Sequence, residues 1–365
     1  MKQALRELLC PQPKSKIKAG DGQLEGAYTF YTSSQTQSKF YHSATYNQPA
    51  LIFGTGGMAS VHFCDKPFST STDCLVMYGH QGVKLELIYH YLRTNLHILQ
   101  EGFKGAGLQH ISKDYILNIE IDMPEPLVQE QITLQMQLID RLIECRKQQA
   151  VFLDEAVKSR FIELFGDPDE NPMNWETSEL DHHLEIVGGF AFKSDGFTDS
   201  GIPVLRIGNI NSGHFMPVNM VYWPDDPMLA RYKMYPGDLV MSLTGTVGKD
   251  DYGNVCILSD EYSEYYLNQR NAKLAIRATL NKHYLSEMLK FSKIKKRLTG
   301  ISRGIRQANI SNRDILALCV PIPPITLQEQ FAALVEQTDK SKLAVQQGLQ
   351  ELEILKRSLM QQYFG

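Results

Sequence analysis

Two stretches of the chain repeat apolar residues at steps of three and four. The first carries Ile132, Met136, Ile139, Ile143, Ala150, Leu153 and Val157; the second carries Phe331, Val335, Val345, Leu349, Leu352 and Leu359. The spacing predicts two amphipathic helices, over 127–165 and 326–363. At 1.5 Å per residue, about 36 residues make a rod of roughly 54 Å, longer than an ordinary domain helix. Such a helix either lies along its own domain or pairs with its copy. Two like stripes favour pairing, as an antiparallel coiled coil under a pseudo-two-fold axis. Ahead of each helix the pattern shortens to runs that read as strands. These are Tyr28–Tyr31, Ala50–Phe53 and Cys74–Met77 in the first half, and Ile202–Ile207, Asp238–Met241, Val255–Leu258 and Lys273–Ile276 in the second. A helical stretch follows in each half, at 85–99 and 284–296. Strands that cluster before the helix, without alternating with it, predict α/β (α+β) domains with mixed or antiparallel sheets.

The halves repeat each other at a fixed offset of 199 residues. Pro124-Glu-Pro-Leu-Val-Gln-Glu-Gln131 falls on Pro323-Pro-Ile-Thr-Leu-Gln-Glu-Gln330. Without a gap, Asp140 falls on Asp339, Gln148 on Gln347, Leu153 on Leu352, Ser159 on Ser358 and Phe165-Gly166 on Phe364-Gly365. Backwards, Ile111-Ser112 falls on Ile310-Ser311, Ile116-Leu117 on Ile315-Leu316 and Gly105 on Gly304. An ungapped match from the proline-rich lead-in to the Phe-Gly exit indicates duplication. Four segments follow: globular 1–122, helix 123–171, globular 172–322 and helix 323–365.

Composition narrows the class. The 365 residues are 43% hydrophobic and 21% charged, as in ordinary globular proteins. No apolar run nears the ~20 residues that span a bilayer, and Met1–Lys14 lacks a signal pattern, so a cytoplasmic protein without membrane contact is expected. Six cysteines, at 10, 64, 74, 145, 256 and 319, lack CxxC spacing and read as reduced and structural. The net charge is −4. Each globular segment is nearly neutral and the acidity lies in the helices, so a nucleic-acid binder of this kind relies on local basic patches.

The second half carries a series of motifs: Trp175-Glu-Thr-Ser-Glu-Leu180, Gly188-Gly-Phe-Ala-Phe-Lys193, Gly201-Ile-Pro-Val-Leu-Arg-Ile-Gly-Asn-Ile210, Tyr235-Pro-Gly-Asp-Leu-Val-Met-Ser-Leu-Thr-Gly-Thr-Val-Gly248, Asn268-Gln-Arg270, Ile310-Ser-Asn-Arg-Asp314 and the proline-rich lead-in to Gln328-Glu-Gln330. The first half repeats the pattern in Gly26–Ser34 and its own Gln-Glu-Gln helix. This series resembles the specificity (S) subunit of type I restriction–modification systems over the whole chain. The twice-occurring lead-in with Gln-Glu-Gln is its most specific element. The first half lacks a counterpart of Trp175, which predicts that an N-terminal edge element is missing there.

The resemblance implies two target-recognition domains, each reading one half of a bipartite, asymmetric double-stranded DNA target. It implies that the helices set the unread gap and dock two methyltransferase (M) subunits, which bind S-adenosylmethionine. Restriction (R) subunits would add ATP- and Mg-dependent cleavage, and the S chain itself would hold no cofactor, metal or catalytic residue. The residues agree. Gly248-Lys249 is followed by Asp250, and Leu243 stands where a P-loop needs its first glycine. Asn171-Pro-Met-Asn174 lacks the second proline and the aromatic of an adenine-methyltransferase motif and reads as a turn. His182-His183 and His90…His97 lack partners at metal-ligand spacing. Gly54-Thr-Gly-Gly57 is either a phosphate cradle of backbone N–H groups or a tight turn.

Phosphate contacts position a protein on DNA and base contacts specify sequence. The densest basic run reads as a phosphate clamp: Lys293, Lys296 and Arg297 on one helix face, then Arg303 and Arg306 in a glycine-rich loop with few acids nearby. The first half has a thinner counterpart in Lys104 and Gln109. Arg reads guanine, and Asn or Gln reads adenine, through paired hydrogen bonds. The candidate base readers are Arg206, Asn209, Asn211, Gln269 and Arg270 in the second half, and Tyr31, Thr32, Ser33, Ser34 and Gln35 in the first. The competing readings are a self-contained DNA-modifying enzyme of S-like fold and a coiled-coil adaptor without DNA binding.

Overall fold

A computed structural model describes residues 2–105, 107–210, 213–246, 251–300 and 307–364. Two compact units emerge. Unit 1 joins Met1–Gln148 to Val345–Gly365, and unit 2 is Gln149–Ala344. Each unit therefore holds one globular part and half of each long helix.

The globular part of unit 1 is built on a four-stranded antiparallel sheet in the order Leu9–Pro11, Cys74–Gly79, Ala50–Gly54, Ser60–Cys64. A three-stranded sheet places Tyr28–Tyr31 between Lys39–Tyr41, antiparallel, and Phe68–Thr70, parallel. Ala50–Gly54 is buried throughout because both its faces are covered. Leu51 and Phe53 meet the helix Leu85–Thr94, while Ala50 and Ile52 meet Tyr31 and Phe68. A strand buried on two faces reads as a continuous apolar run, without alternation.

Unit 2 repeats this plan. Its four-stranded sheet runs Leu184–Gly188, Asn271–Ile276, Leu239–Ser242, Val255–Ile257. A second sheet pairs Ile202–Leu205 antiparallel with Val221–Trp223 and parallel with Tyr265–Leu267, which also pairs with Lys233–Met234. The helical stretches after the strands each break once, at Asn95 in unit 1 and at Phe291 in unit 2.

The first half does have its N-terminal edge element, contrary to expectation. Lys2–Ala4 pairs antiparallel with Glu120–Asp122, as Thr177–Glu179 pairs with Cys319–Pro321. The Leu5 N–H donates to Ile119 O at 2.9 Å and the Leu180 N–H donates to Leu318 O at 3.2 Å, so the strand ends in the same register. Backbone groups make this pairing, and a buried leucine anchors it. Trp175 serves the helix exit instead, its indole N–H donating to Phe165 O at 3.0 Å. Gly166 closes that exit at φ +77, where any Cβ would strike Pro172. Asn171–Asn174 is a turn, both asparagines left-handed at φ 45 and 53. The six cysteines are free, but Cys10 and Cys145 are exposed, so burial does not account for those two.

The long helices span Pro126–Phe165 and Ile325–Phe364. The repeated Gln-Glu-Gln motif fixes how they begin. Gln129 Nε2 donates to Pro124 O at 2.8 Å and Gln328 Nε2 to Pro323 O at 2.7 Å, each satisfying the carbonyl of the proline-rich lead-in. Within each unit the two half-helices run antiparallel and also pack on the globular part, so both alternatives read from the stripe are realised. In unit 1, Ile132 and Met136 share a core with Met360, and Lys356 pairs with Asp140. In unit 2, Lys342 pairs with Asp154 at 2.6 Å, and Phe161 and Phe165 pack with Phe331 and Tyr284.

Polar contacts reinforce the docking. Gln137 on the long helix donates to Glu86 at 2.7 Å in unit 1, and His283 faces Glu336 at 3.4 Å in unit 2. Beside the first lies His90, buried, with neither ring nitrogen hydrogen-bonded and Asp140 3.8 Å away. Burial lowers its pKa, Lys356 lowers it further, and Asp140 opposes both.

Two predictions follow from this packing. Phe161→Ala removes a fully buried ring from the aromatic cluster and should destabilise unit 2 by about 3–5 kcal/mol. Leu134→Ala, at an exposed site, should stay within about 0.5 kcal/mol. Urea unfolding of both variants checks this. His90 is neutral in the folded state, so below its ordinary pKa of 6.5 the unfolded chain binds a proton that the folded chain refuses. Stability should fall on acidification from pH 7 to pH 5, and His90→Leu should flatten that part of the profile.

Candidate nucleic-acid interface

In unit 1 the strand ends place several loops together. Ser33 Oγ donates to Asp73 O at 2.7 Å, and Ser60 Oγ donates to Ser33 O at 3.1 Å. Gln35 Nε2 donates to Ala59 O at 3.0 Å, and His62 Nε2 meets Ser34 O at 2.8 Å. The turn after the central strand is tied on both sides. Thr55 N–H donates to Asp73 O at 2.8 Å, Gly57 N–H to Gln109 O at 3.1 Å, and Ile111 N–H to Thr55 O at 3.2 Å. Gly54-Thr-Gly-Gly57 is thus a tight turn whose Gly57 amide is already used. Lys104 pairs in register with His110 on the adjoining hairpin. Ser34, Gln35, Lys104 and Gln109 are exposed around this cluster, with Thr32 and Ser33 half-buried. Tyr31, expected to read bases, is core: its ring is 8% exposed and packs on Phe68 and His62. The residue ends a strand with its side chain turned inward, and burial raises its pKa.

Unit 2 gathers the corresponding loops. Asn271, buried, donates through Nδ2 to Leu205 O at 2.8 Å, which holds the Gln269-Arg270 turn beside Arg206. Leu243 N–H donates to Arg270 O as Thr55 N–H does to Asp73 O, and Ile310 N–H donates to Leu243 O as Ile111 N–H does to Thr55 O. Gln269 and Arg270 are exposed. Arg206 is half-buried and its guanidinium donates to Asn219 O. Asn209 does not read bases in this arrangement. It is 1% exposed, and its Nδ2 donates to Met216 O and Val218 O, both at 3.0 Å, so its amide holds a loop. Asn211, Arg303 and Arg306 lie outside the described residues.

The strand Thr244–Thr246, paired with Gln307–Asn309, also belongs to this end of unit 2. It leaves Thr246 and Asn309 exposed.

The basic helix face is less free than its sequence suggests. Lys293 pairs with Glu170 at 3.1 Å and lies 3.7 Å from Asp169, and Glu170 raises its pKa. Arg297 donates to Cys319 O at 2.9 Å. These acids stand more than a hundred residues away in sequence, on the turn after the first long helix, so the expectation of few acids nearby fails. Lys296 is exposed and has no acidic partner among the described residues. No group of three His, Cys, Asp or Glu suited to a metal occurs among the described residues. No helix is long and apolar enough to cross a membrane, again among those residues.

Known proteins resemble this chain in sequence and in fold. The sequence profile described as "Type I restriction modification DNA specificity domain" matches residues 7–151 and 172–354. A putative type I restriction enzyme MjaX specificity subunit of Methanocaldococcus jannaschii is 25% identical over 201 residues, covering 53% of this chain and 46% of that protein. The type I restriction enzyme EcoBI specificity subunit of Escherichia coli is 25% identical over 194 residues, covering 51% and 38%. The chain thus matches less than half the length of these relatives. In fold it is similar to the crystal structure of the S subunit of a type I restriction–modification system from M. genitalium, with a TM-score of 0.61 at 14% identity, covering 100% of this chain and 96% of that one. A chain from a structure of type I R-M complex assembly matches with a TM-score of 0.53 at 14% identity, covering 100% and 97%.

The electrostatics separate Lys296 from Lys293 as candidate phosphate contacts. Lys296→Ala should lower the salt dependence of DNA binding by about 0.9 in log–log slope, one phosphate contact. Lys293→Ala should lower it less, because that ammonium is already engaged with Glu170. Equal loss from both, in binding titrations across salt concentrations, would show that the Lys293 ion pair opens on DNA.

Proposed function

Because the chain belongs to the family of type I restriction–modification DNA specificity proteins, we propose that it is the sequence-reading subunit of such a complex. Unit 1 reads one half of a bipartite double-stranded DNA target and unit 2 reads the other. The observation that carries this is the duplicated unit with diverged loops. The sheets, registers and tying hydrogen bonds repeat, while the exposed residues at the strand ends differ: Ser34, Gln35, Lys104 and Gln109 in one unit, Gln269 and Arg270 in the other. Like scaffolds with unlike readers fit an asymmetric target. Phosphate contacts from Lys296 and Lys104 supply affinity, and the amides and guanidinium supply base discrimination.

The chain performs no chemical step of its own in this reading. Two methyltransferase subunits bring S-adenosylmethionine, and restriction subunits bring ATP and Mg²⁺. The first long helix offers the docking face. Leu127, Leu134, Leu138 and Leu142 stay exposed along one side of it, although the opposite side packs into unit 1. An apolar stripe of this kind on a charged helix suits a partner protein.

Four measurements test the reading. Methylome sequencing of a host expressing the chain with its methyltransferase partner should give one asymmetric bipartite motif; a continuous or palindromic motif would refute the assignment of one half to each unit. Inserting four residues after Gln148, about one helical turn, should change the unread gap or abolish activity and leave both half-site sequences intact. Leu134→Asp with Leu138→Asp should abolish co-purification with the methyltransferase without lowering the thermal midpoint of the chain. Gln269→Ala or Arg270→Ala should cost about 1–3 kcal/mol on the cognate site and relax one position of one half-site.

A further inference from the structure

Met58 stands on the turn that follows the central strand of unit 1, and Leu108 on the hairpin turn that adjoins it. Both are large apolar side chains left mostly in water, 66% and 71% exposed. The backbone beneath them is fixed. Gly57 N–H donates to Gln109 O at 3.1 Å, Gly56 forms a bridge with His110, and Ala59 N–H donates to Gln100 Oε1 at 2.9 Å. Gly57 sits at φ +85, a conformation that a side-chain-bearing residue rarely adopts. Two apolar side chains are thus presented to solvent from turns that are stitched together.

The strand pair Thr244–Thr246 with Gln307–Asn309 stands at the corresponding place in unit 2 with different residues. Counting from the shared bonds, Ile111 to Thr55 and Ile310 to Leu243, Met58 falls on Thr246 and Leu108 falls on Gln307. Thr246 and Gln307 are direct register partners across their strand pair. One unit therefore carries an apolar pair where the other carries a polar pair. Exposed Gln35, Lys104 and Gln109 rim the apolar pair. Two side chains ringed by polar groups are far too small a patch for a stable protein interface, which buries about 800 Å² per partner.

We propose that Met58 and Leu108 form a wedge that enters the minor groove and unstacks one base step in the half-site read by unit 1. Leu and Met are among the side chains that enter base steps in this way, and Lys and Gln suit the groove edges beside them. That half-site is then selected partly by how readily its DNA deforms, since pyrimidine–purine steps unstack most easily. Unit 2, with Thr246 and Gln307, reads its half without a wedge. The inference rests on the DNA-reading function proposed above.

The test uses the full chain in the complex with which it co-purifies, on duplexes carrying its mapped target. 2-Aminopurine replaces each adenine in turn. Besides the base that a methyltransferase subunit draws out of the stack in each half-site, fluorescence should rise on binding at one further step of the half-site read by unit 1 and at none in the other. The double variant Met58→Thr, Leu108→Gln should abolish that further rise and weaken binding by about tenfold, the share of roughly one disrupted base pair. Both side chains are exposed, so the thermal midpoint should not move. Specific binding by the unaltered complex with no further rise overturns the wedge alone, as does a further rise that survives in the double variant. No specific binding by the unaltered complex overturns the DNA-reading function itself, and the wedge with it.

Discussion

Everything in this protein depends on how a long helix seats on a globular core. A helix of forty residues cannot bury its stripe by itself. Each half-helix finds two partners in its unit: the antiparallel half of the other helix and the helical layer over the four-stranded sheet. In unit 2, Phe161, Phe165, Tyr284 and Phe331 close this three-way contact with stacked and edge-on rings 4.8–5.6 Å apart. In unit 1, Ile132, Met136 and Met360 do the same with aliphatic side chains. The loops that end the strands keep their relation to the helices only while this contact holds.

Polar groups sharpen the seating. The motif glutamines satisfy the carbonyls of the proline-rich lead-ins, and Gln328 also accepts the Asn281 N–H at 2.8 Å, which ties the helix start to the following domain helix. Farther along, Gln137 meets Glu86 and Glu336 meets His283 at corresponding places, so the contact survived duplication while its chemistry changed. A buried polar group left unpaired is costly. That cost favours one seating over a slip of a helical turn.

The strand-end loops show the opposite behaviour. Their backbone bonds repeat, Thr55 to Asp73 and Leu243 to Arg270, while their exposed side chains do not. Divergence confined to such positions leaves the scaffold untouched, because no core contact depends on them. This is the physical basis for the proposal that each unit reads a separate half-site.

Much of this was legible in the sequence. The period of three and four located both helices to within a residue or so, because every position of the stripe is buried or half-buried and so stays apolar. The ungapped repeat implied a duplicated fold, and each predicted strand is present. The edge strand Lys2–Ala4 was not legible, because backbone pairing leaves no side-chain signature. The site was only partly legible. Gln35, Lys104, Gln109, Gln269 and Arg270 do stand exposed at strand ends. Residue type could not reveal that Tyr31 and Asn209 turn inward, because a tyrosine or an asparagine suits a core hydrogen bond and a base edge equally well. Nor could it reveal that Lys293 is spoken for by Glu170, a residue 123 positions away. Period and repetition belong to the chain itself. Which polar group faces water and which charge has a partner are decided by long-range proximity, and only the tertiary structure supplies that.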